Sequence, residues 1–239
     1  MSVDPLSWLV SLEGVPSAFA ATRDGIDALL RDRGLRRTSP EQTATSLLRG
    51  AHASAVLEGS GSTWEEVESG AGDSVAADAV RLSTELLSQV PVLGRAPLQA
   101  LARLHAVASA TSLPEEQRGR PRDAAAAERL RGLSELLLAD TSAPALLVAA
   151  LVHADLATAA PFPSHNGLVA RAAERLVLVA RGVDPASLTV PEAGHLALRA
   201  AYESNLRGYA TGGDSGVHAW LLYAPEAFAA GADASPLRG

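Results

Sequence analysis

The stretch Ala159-Ala160-Pro161-Phe162-Pro163-Ser164-His165-Asn166-Gly167-Leu168-Val169-Ala170-Arg171 decides how the rest of the chain is read. An apolar, helix-like run from Ala145 to Thr158 precedes it, and a second from Leu168 to Arg181 follows. Between them stands a short loop with two prolines, then Asn166-Gly167 at the mouth of the second helix. A helix N-terminus leaves backbone N–H groups unpaired and carries a partial positive charge. Glycine there lets the backbone approach a bound anion closely. The loop thus reads either as a phosphate cradle or as an ordinary helix–loop–helix turn, where glycine is also common.

Composition narrows the chemistry. The chain has 239 residues, 47% of them hydrophobic, enough for one good-sized core. Frequent Ala, punctuated by 14 Pro and 20 Gly, gives an all-α expectation. All 20 basic residues are Arg. With no Lys, Schiff-base chemistry and a Walker-type phosphate loop are excluded. With no Cys, thiol nucleophiles, zinc–thiolate sites and disulfides are excluded. A net charge of −7 with dispersed Arg argues against nucleic acid as a partner. No secretory signal is visible, and the most apolar run, 144–161, holds His153 and Asp155 and is shorter than a membrane span. A cytoplasmic protein without membrane contact is the expectation.

Punctuation gives the organisation. Residues 1–38 read as an N-terminal helical extension, with Trp8, Leu9 and Val10 as a docking patch and a helix from Ser17 to Arg33 ended by Gly34. Ser39-Pro40-Glu41-Gln42 is a helix start with a capping box, and Gly59 stops that helix. Residues 60–74 read as a loop. Further helices are expected from Asp73 or Ser74 to before Pro91, from Ala96 to Ala110 and from Ala124 to Leu138. Thr141 or Ser142 should cap the next helix. A long helix is expected from Val190 to Tyr209, then a last one capped by Asp214 or Ser215. Residues 39–230 form the main domain, and 231–239 read as a flexible tail.

Two segments carry a family resemblance. The opening stretch resembles the Fic motif, His-Pro-Phe-x-Asp/Glu-Gly-Asn-Gly-Arg-x-x-Arg, of the AMP-transferring Fic domain family. Pro161, Phe162, Asn166, Gly167 and Arg171 stand in register. His153 lies seven residues before Ala160, where family members often carry a further histidine. Upstream, Ser54-Ala55-Val56-Leu57-Glu58-Gly59 resembles the family's inhibitory motif, Ser/Thr-x-x-x-Glu-Gly/Asn. Leu104-His105 and Gly119-Arg120-Pro121-Arg122 are similar to family segments ahead of the loop. The target-docking flap hairpin that follows in the family is short or absent, because Asp123 leads straight into a helix.

The resemblance implies a Fic-like helical bundle around a buried central helix, with a degenerate loop. Ala160 takes the place of the catalytic His, so the base is missing. Ser164 replaces the acid that would hold Mg²⁺, a hard cation that prefers carboxylate oxygen. His165 replaces a Gly, and Leu168 the first motif Arg. No metal ligand set is assigned. His165 is a weak substitute base and reads as a surface residue, while His153 reads as a core histidine held by a hydrogen bond. What survives is an anion cradle of Asn166, Gly167 and Arg171, with Ser54, Glu58 and Gly59 as the inhibitory segment. In the family the inhibitory Glu pairs with the Arg at position 171. The expectation is a protein inactive in AMP transfer, with room for a nucleotide or phosphate-bearing ligand, ATP with Mg²⁺ included. The alternatives are a transferase with a rearranged site and a helical module that binds a protein partner. Relatives often dimerise, so a homodimer is also implied.

Overall fold

Local signals fix where the helices begin and end. The structure, a computed structural model, describes residues 4–31 and 39–238. Among these residues every regular element is helical and none is a strand. In chain order the α-helices are α1 (Val15–Leu29), α2 (Pro40–Leu57), α3 (Trp64–Glu68), α4 (Ser74–Leu86), α5 (Val90–Leu93), α6 (Pro97–Ala108), α7 (Ala124–Leu138), α8 (Ala145–Ala159), α9 (Asn166–Ala180), α10 (Pro191–Ala197), α11 (Arg199–Thr211) and α12 (Gly213–Asp233). The all-α expectation holds. Ser39 and Gln42 form the capping box of α2 as expected, and Asp73 caps α4. Gly59 ends α2 in the left-handed region at φ +93°, which glycine enters without a Cβ penalty. The expected stop at Gly34 lies outside the described residues.

Several expectations fail where tertiary contacts override local ones. Thr141 and Ser142 do not cap α8. They bind the Asp4 carboxylate instead, Thr141 through its hydroxyl at 2.8 Å and Ser142 through its amide at 2.9 Å. Of the expected docking patch, Leu9 is buried and Val10 packs against the core, but Trp8 is exposed and Leu6 is buried in its stead. The 60–74 loop contains α3, whose capping box is made by Thr63 and Glu66. The expected long helix after Val190 breaks at Leu198 into α10 and α11, with no Gly or Pro there to announce it. Neither Asp214 nor Ser215 caps α12, which starts at Gly213. The stretch from Gly231, expected as a flexible tail, continues α12 to Asp233 and then makes a 3₁₀ turn, Pro236–Arg238, with Leu237 buried. Its anchor is Gly231, close enough to the turn before α10 for its carbonyl to accept the Val190 N–H at 2.9 Å.

Two antiparallel helices form the centre. In α8 every residue from Leu146 to Leu156 is buried, and in α9 every residue from Leu168 to Leu178. A helix buried all round needs a jacket of other helices, and α1, α2, α4, α5, α6, α7, α10, α11 and α12 supply it. Trp220 of α12, fully buried, donates its indole N–H to the Ala150 carbonyl of α8 at 2.9 Å. No helix among the described residues is long and apolar enough to cross a membrane.

Two glycines make this packing testable. A methyl at Gly194 of α10 would collide with the Ala227 carbonyl oxygen and come within 2.8 Å of the Gly231 amide, both backbone atoms of α12. Gly132, within α7, is exposed and would meet nothing within 4 Å. Gly194→Ala should therefore destabilise by about 1–3 kcal/mol through overpacking. Gly132→Ala should stabilise by about 0.5–1 kcal/mol through helix propensity. Urea unfolding midpoints of the two variants should move in opposite directions.

Candidate functional site

The loop between α8 and α9 is held in a demanding backbone conformation. Ala160 ends α8 at φ +43° and His165 precedes α9 at φ +56°, both left-handed. A residue with a Cβ costs about 1–2 kcal/mol in that region, so other contacts must hold the loop. Arg122 does so from outside, donating its amide to the Pro161 carbonyl at 2.9 Å and its guanidinium to the Ala160 carbonyl at 2.6 Å. Asn166 does so from inside. Its side-chain carbonyl accepts the Phe162 N–H and its NH₂ donates to the Phe162 carbonyl, each at 2.9 Å. Phe162 stacks on the buried His105 of α6 with ring centroids 4.4 Å apart. His105 is itself placed by the Gly119 amide, which donates to Nδ1 at 2.9 Å.

Asn166 thus spends its side chain on the loop. Its backbone amide and those of Gly167 and Leu168, at the mouth of α9, donate to no group among the described residues. Above them lies a carboxylate. Glu58, at the C-terminal end of α2, occupies the space a β-carbon on Gly167 would fill. It accepts a hydrogen bond from Arg171 Nη2 at 2.7 Å, across 113 positions of sequence. Arg171 is 2% exposed at its side chain, against 32% for Glu58. Its Nε donates to the Ser54 hydroxyl at 2.7 Å and Nη2 also to the Ser54 carbonyl at 3.2 Å. Nη1 donates to the Tyr202 hydroxyl at 3.1 Å. Burial pulls the guanidinium's pKa down, but Tyr202 and Glu58 outweigh it and hold the group above its ordinary value. Three elements therefore meet at one cation.

From Tyr202 the network runs into the core. The Tyr202 hydroxyl lies 2.9 Å from His153 Nε2. On the other face of that ring, Nδ1 lies 3.0 Å from the Glu174 carboxylate, though not aligned as a hydrogen bond. The second Glu174 oxygen faces His195 Nε2 at 2.9 Å, and His195 Nδ1 faces the Tyr223 hydroxyl at 2.8 Å. Burial pushes the His153 imidazole down to about 4. Burial pushes the Glu174 carboxyl up, but the flanking histidines outweigh it and hold it at about 2. His153, Glu174 and His195 are the residue types of a metal centre, with candidate ligand atoms within 4.8 Å of one another. The two phenols meet the outward nitrogens, so most of the arrangement also closes as a hydrogen-bond network.

On the other side of the loop, His165 is not the surface residue that was expected. Its side chain is 15% exposed and engaged at both nitrogens. Nδ1 lies 2.6 Å from the Ser164 hydroxyl, and Nε2 lies 3.0 Å from the Asp78 carboxylate of α4. Leu168, at the place of the first motif Arg, is buried in the core. Pro161 is also buried. His153 is hydrogen-bonded in the core, as expected. The sequence reading missed Asp78, Glu174, His195 and Tyr202. Only Glu174 had a signal: Arg171, Glu174 and Arg175 are charges on a helix otherwise apolar on every side.

No model of a known protein family matches the chain, and no curated protein does. Solved structures do match in fold. A Fic family protein from Desulfovibrio desulfuricans superposes with a TM-score of 0.73 at 16% identity, over 91% of this chain and 73% of that one. A fragment of Fic-1 from C. elegans gives 0.68 at 15% identity, over 96% and 73%. A variant of that fragment gives 0.65 at 14% identity, over 93% and 72%. The chain has the fold of Fic family proteins.

The site's geometry can be tested in two ways. Alanine at Gly167 would push the Glu58 carboxylate, a movable side-chain end, off Arg171. Gly167→Ala should then cost about 1.5–3 kcal/mol, the scale of a hydrogen bond to a charged group. With Glu58→Ala already present, the same change should be neutral or stabilising. A double-mutant cycle from unfolding curves measures this coupling. The second concerns pH. Burial also pushes the His105 imidazole down to about 4. In the unfolded chain both His105 and His153 take up protons near pH 6.5. Between about pH 6.5 and 4 the unfolded state binds more protons, so stability is full above that window and falls as pH drops through it. The loss should approach about 3 kcal/mol per histidine. Urea midpoints across that range should show it, with a shallower slope in His105→Gln.

Proposed function

We propose that this chain is a Fic-fold protein that has lost AMP transfer and keeps its anion cradle closed by its own Glu58. The observation that carries this reading is the Glu58 carboxylate lying over Gly167 and bonded to Arg171 at 2.7 Å. A phosphate approaching the α9 N-terminus and Arg171 would need that space. Arg171 is bound on its remaining edges by Ser54 and Tyr202, so it cannot turn toward a ligand elsewhere.

The loop's chemistry supports the same reading. AMP transfer by the family's route needs a base for the target hydroxyl, a carboxylate for Mg²⁺ and cations for the phosphates. Ala160 has no titratable group. Ser164 has its hydroxyl on His165, and Leu168 points into the core. Loss of one electrostatic stabiliser is worth about 3 kcal/mol of barrier, and several are missing together. No hairpin follows Arg122 among the described residues, where Asp123 caps α7 at once. Glu58 then acts as a structural tie between α2 and α9 more than as a removable inhibitor.

Incubation with ATP labelled at the α-phosphate, Mg²⁺ or Mn²⁺ and cell extract tests this. Neither the wild type nor Glu58→Gly should transfer label to itself or to extract proteins, and calorimetry should detect no ATP binding by either. Label transfer by Glu58→Gly would overturn the reading, since it would mean that the base was blocked and not absent.

A further inference from the structure

We propose that Ser164 is a nucleophile activated by His165 and Asp78, and that it attacks carboxylic esters. The relay uses neither Glu58 nor Arg171 and goes beyond the closed cradle. It rests on three side chains brought together from α4 and the loop. Asp78 Oδ2 faces His165 Nε2 at 3.0 Å, and His165 Nδ1 faces Ser164 Oγ at 2.6 Å. A carboxylate can only accept, so Nε2 carries the ring proton. Nδ1 then presents its lone pair to the serine hydroxyl, within the distance a general base needs.

Asp78 is fixed by contacts outside the relay. Asp78 is 4% exposed, and its other oxygen accepts from Arg81 at 2.5 Å and from Thr111 at 3.0 Å. That leaves Oδ2 turned to the imidazole. His165 takes the left-handed backbone at φ +56°, a conformation disfavoured for any residue with a Cβ. Ser164 is partly exposed and follows an exposed Pro163, so a small ester has access. One and two residues beyond His165, the Asn166 and Gly167 amides donate to nothing among the described residues. The Glu58 carboxylate already lies over Gly167, so these amides are not assigned to a developing oxyanion. The order nucleophile, imidazole, buried carboxylate is the one that activates serine in unrelated folds, where it is recognised by geometry.

The step balances without a co-reactant other than water. The Ser164 Oγ–carbonyl carbon bond forms as the hydroxyl proton passes to His165 Nδ1 and the carbonyl π pair moves onto oxygen. Collapse restores the C=O and expels the alcohol, which takes the proton from Nδ1. Water then attacks the acyl-serine by the same steps, releasing the carboxylic acid and restoring the hydroxyl. Asp78 acts only through His165 and is a positioning residue.

The test treats the full chain with a fluorophosphonate, which loses fluoride as the Oγ–P bond forms, and follows hydrolysis of p-nitrophenyl acetate in parallel. One adduct per chain is expected, mapped to Ser164 by mass spectrometry and absent in Ser164→Ala. His165→Asn suits the left-handed backbone and should slow labelling at least about 100-fold, the low end for a general base, with an unchanged circular dichroism spectrum. Asp78→Asn should slow labelling and Asp78→Glu restore part of the rate. Equal labelling in Asp78→Asn would remove Asp78 from the relay. No adduct at Ser164 in the folded wild type, or wild-type labelling in His165→Asn, would overturn the proposal. The wild-type result stands even if a variant fails to fold, and labelled ATP reads the closed-cradle proposal separately.

Discussion

A guanidinium buried at the centre of a helical bundle sets the terms for the rest of this structure. Arg171 cannot shed its proton, and an unpaired charge in a protein interior is prohibitively unfavourable. Its side chain is 2% exposed, so every partner must come from the protein. Ser54 and Glu58 bring the end of α2 to it, and Tyr202 brings α11. The position of Ser54 and Glu58 against the loop is therefore a consequence of solvating one cation. The same contact covers the N-terminus of α9 at Gly167.

The pattern repeats along α9. One turn further, Arg175 meets Glu192 of α10 through two parallel N–H···O contacts of 2.9 and 2.6 Å. Its remaining nitrogen reaches the Ser46 and Ser187 hydroxyls, each at 3.0 Å. Gly50 of α2 leaves the room for this pair. Between the two arginines sits Glu174 with its two histidines. Buried ion pairs of this kind add little net stability over apolar packing, because desolvation offsets the attraction. Their effect is directional. A greasy core accepts many helix registers, whereas a guanidinium that must find a given hydroxyl and carboxylate accepts few. Here they fix the rotation and height of α9 against α2, α10 and α11.

Rigidity of the loop follows from this frame. Two residues with β-carbons sit in the left-handed region at its ends. They persist because Arg122, Asn166 and the His105–Phe162 stack each hold a different part of the backbone. The strained ends of the loop are thus each tied by contacts from a different element. The Ser164–His165–Asp78 chain is held in the same frame, with Nδ1 and Nε2 of His165 each facing one partner.

The sequence by itself determined the helical class, most helix boundaries and the candidate loop. Capping at Ser39 and the turn at Gly59 depend on neighbours within a few positions, so they are written locally. The same holds for the helical spacing of apolar residues in α7. The residues of the two short motifs were also legible, and the Glu58–Arg171 contact expected from them is present. Only the tertiary structure decided the break at Leu198, the packing of the C-terminal turn and the partners of the buried charges. It also decided the meeting of Asp78 with His165, 87 positions apart. The reason is physical. A hydrogen bond between distant residues leaves no local pattern, and a charge on an apolar helix signals only that some partner is required. Which partner answers depends on how α2, α4, α9 and α11 pack around one core.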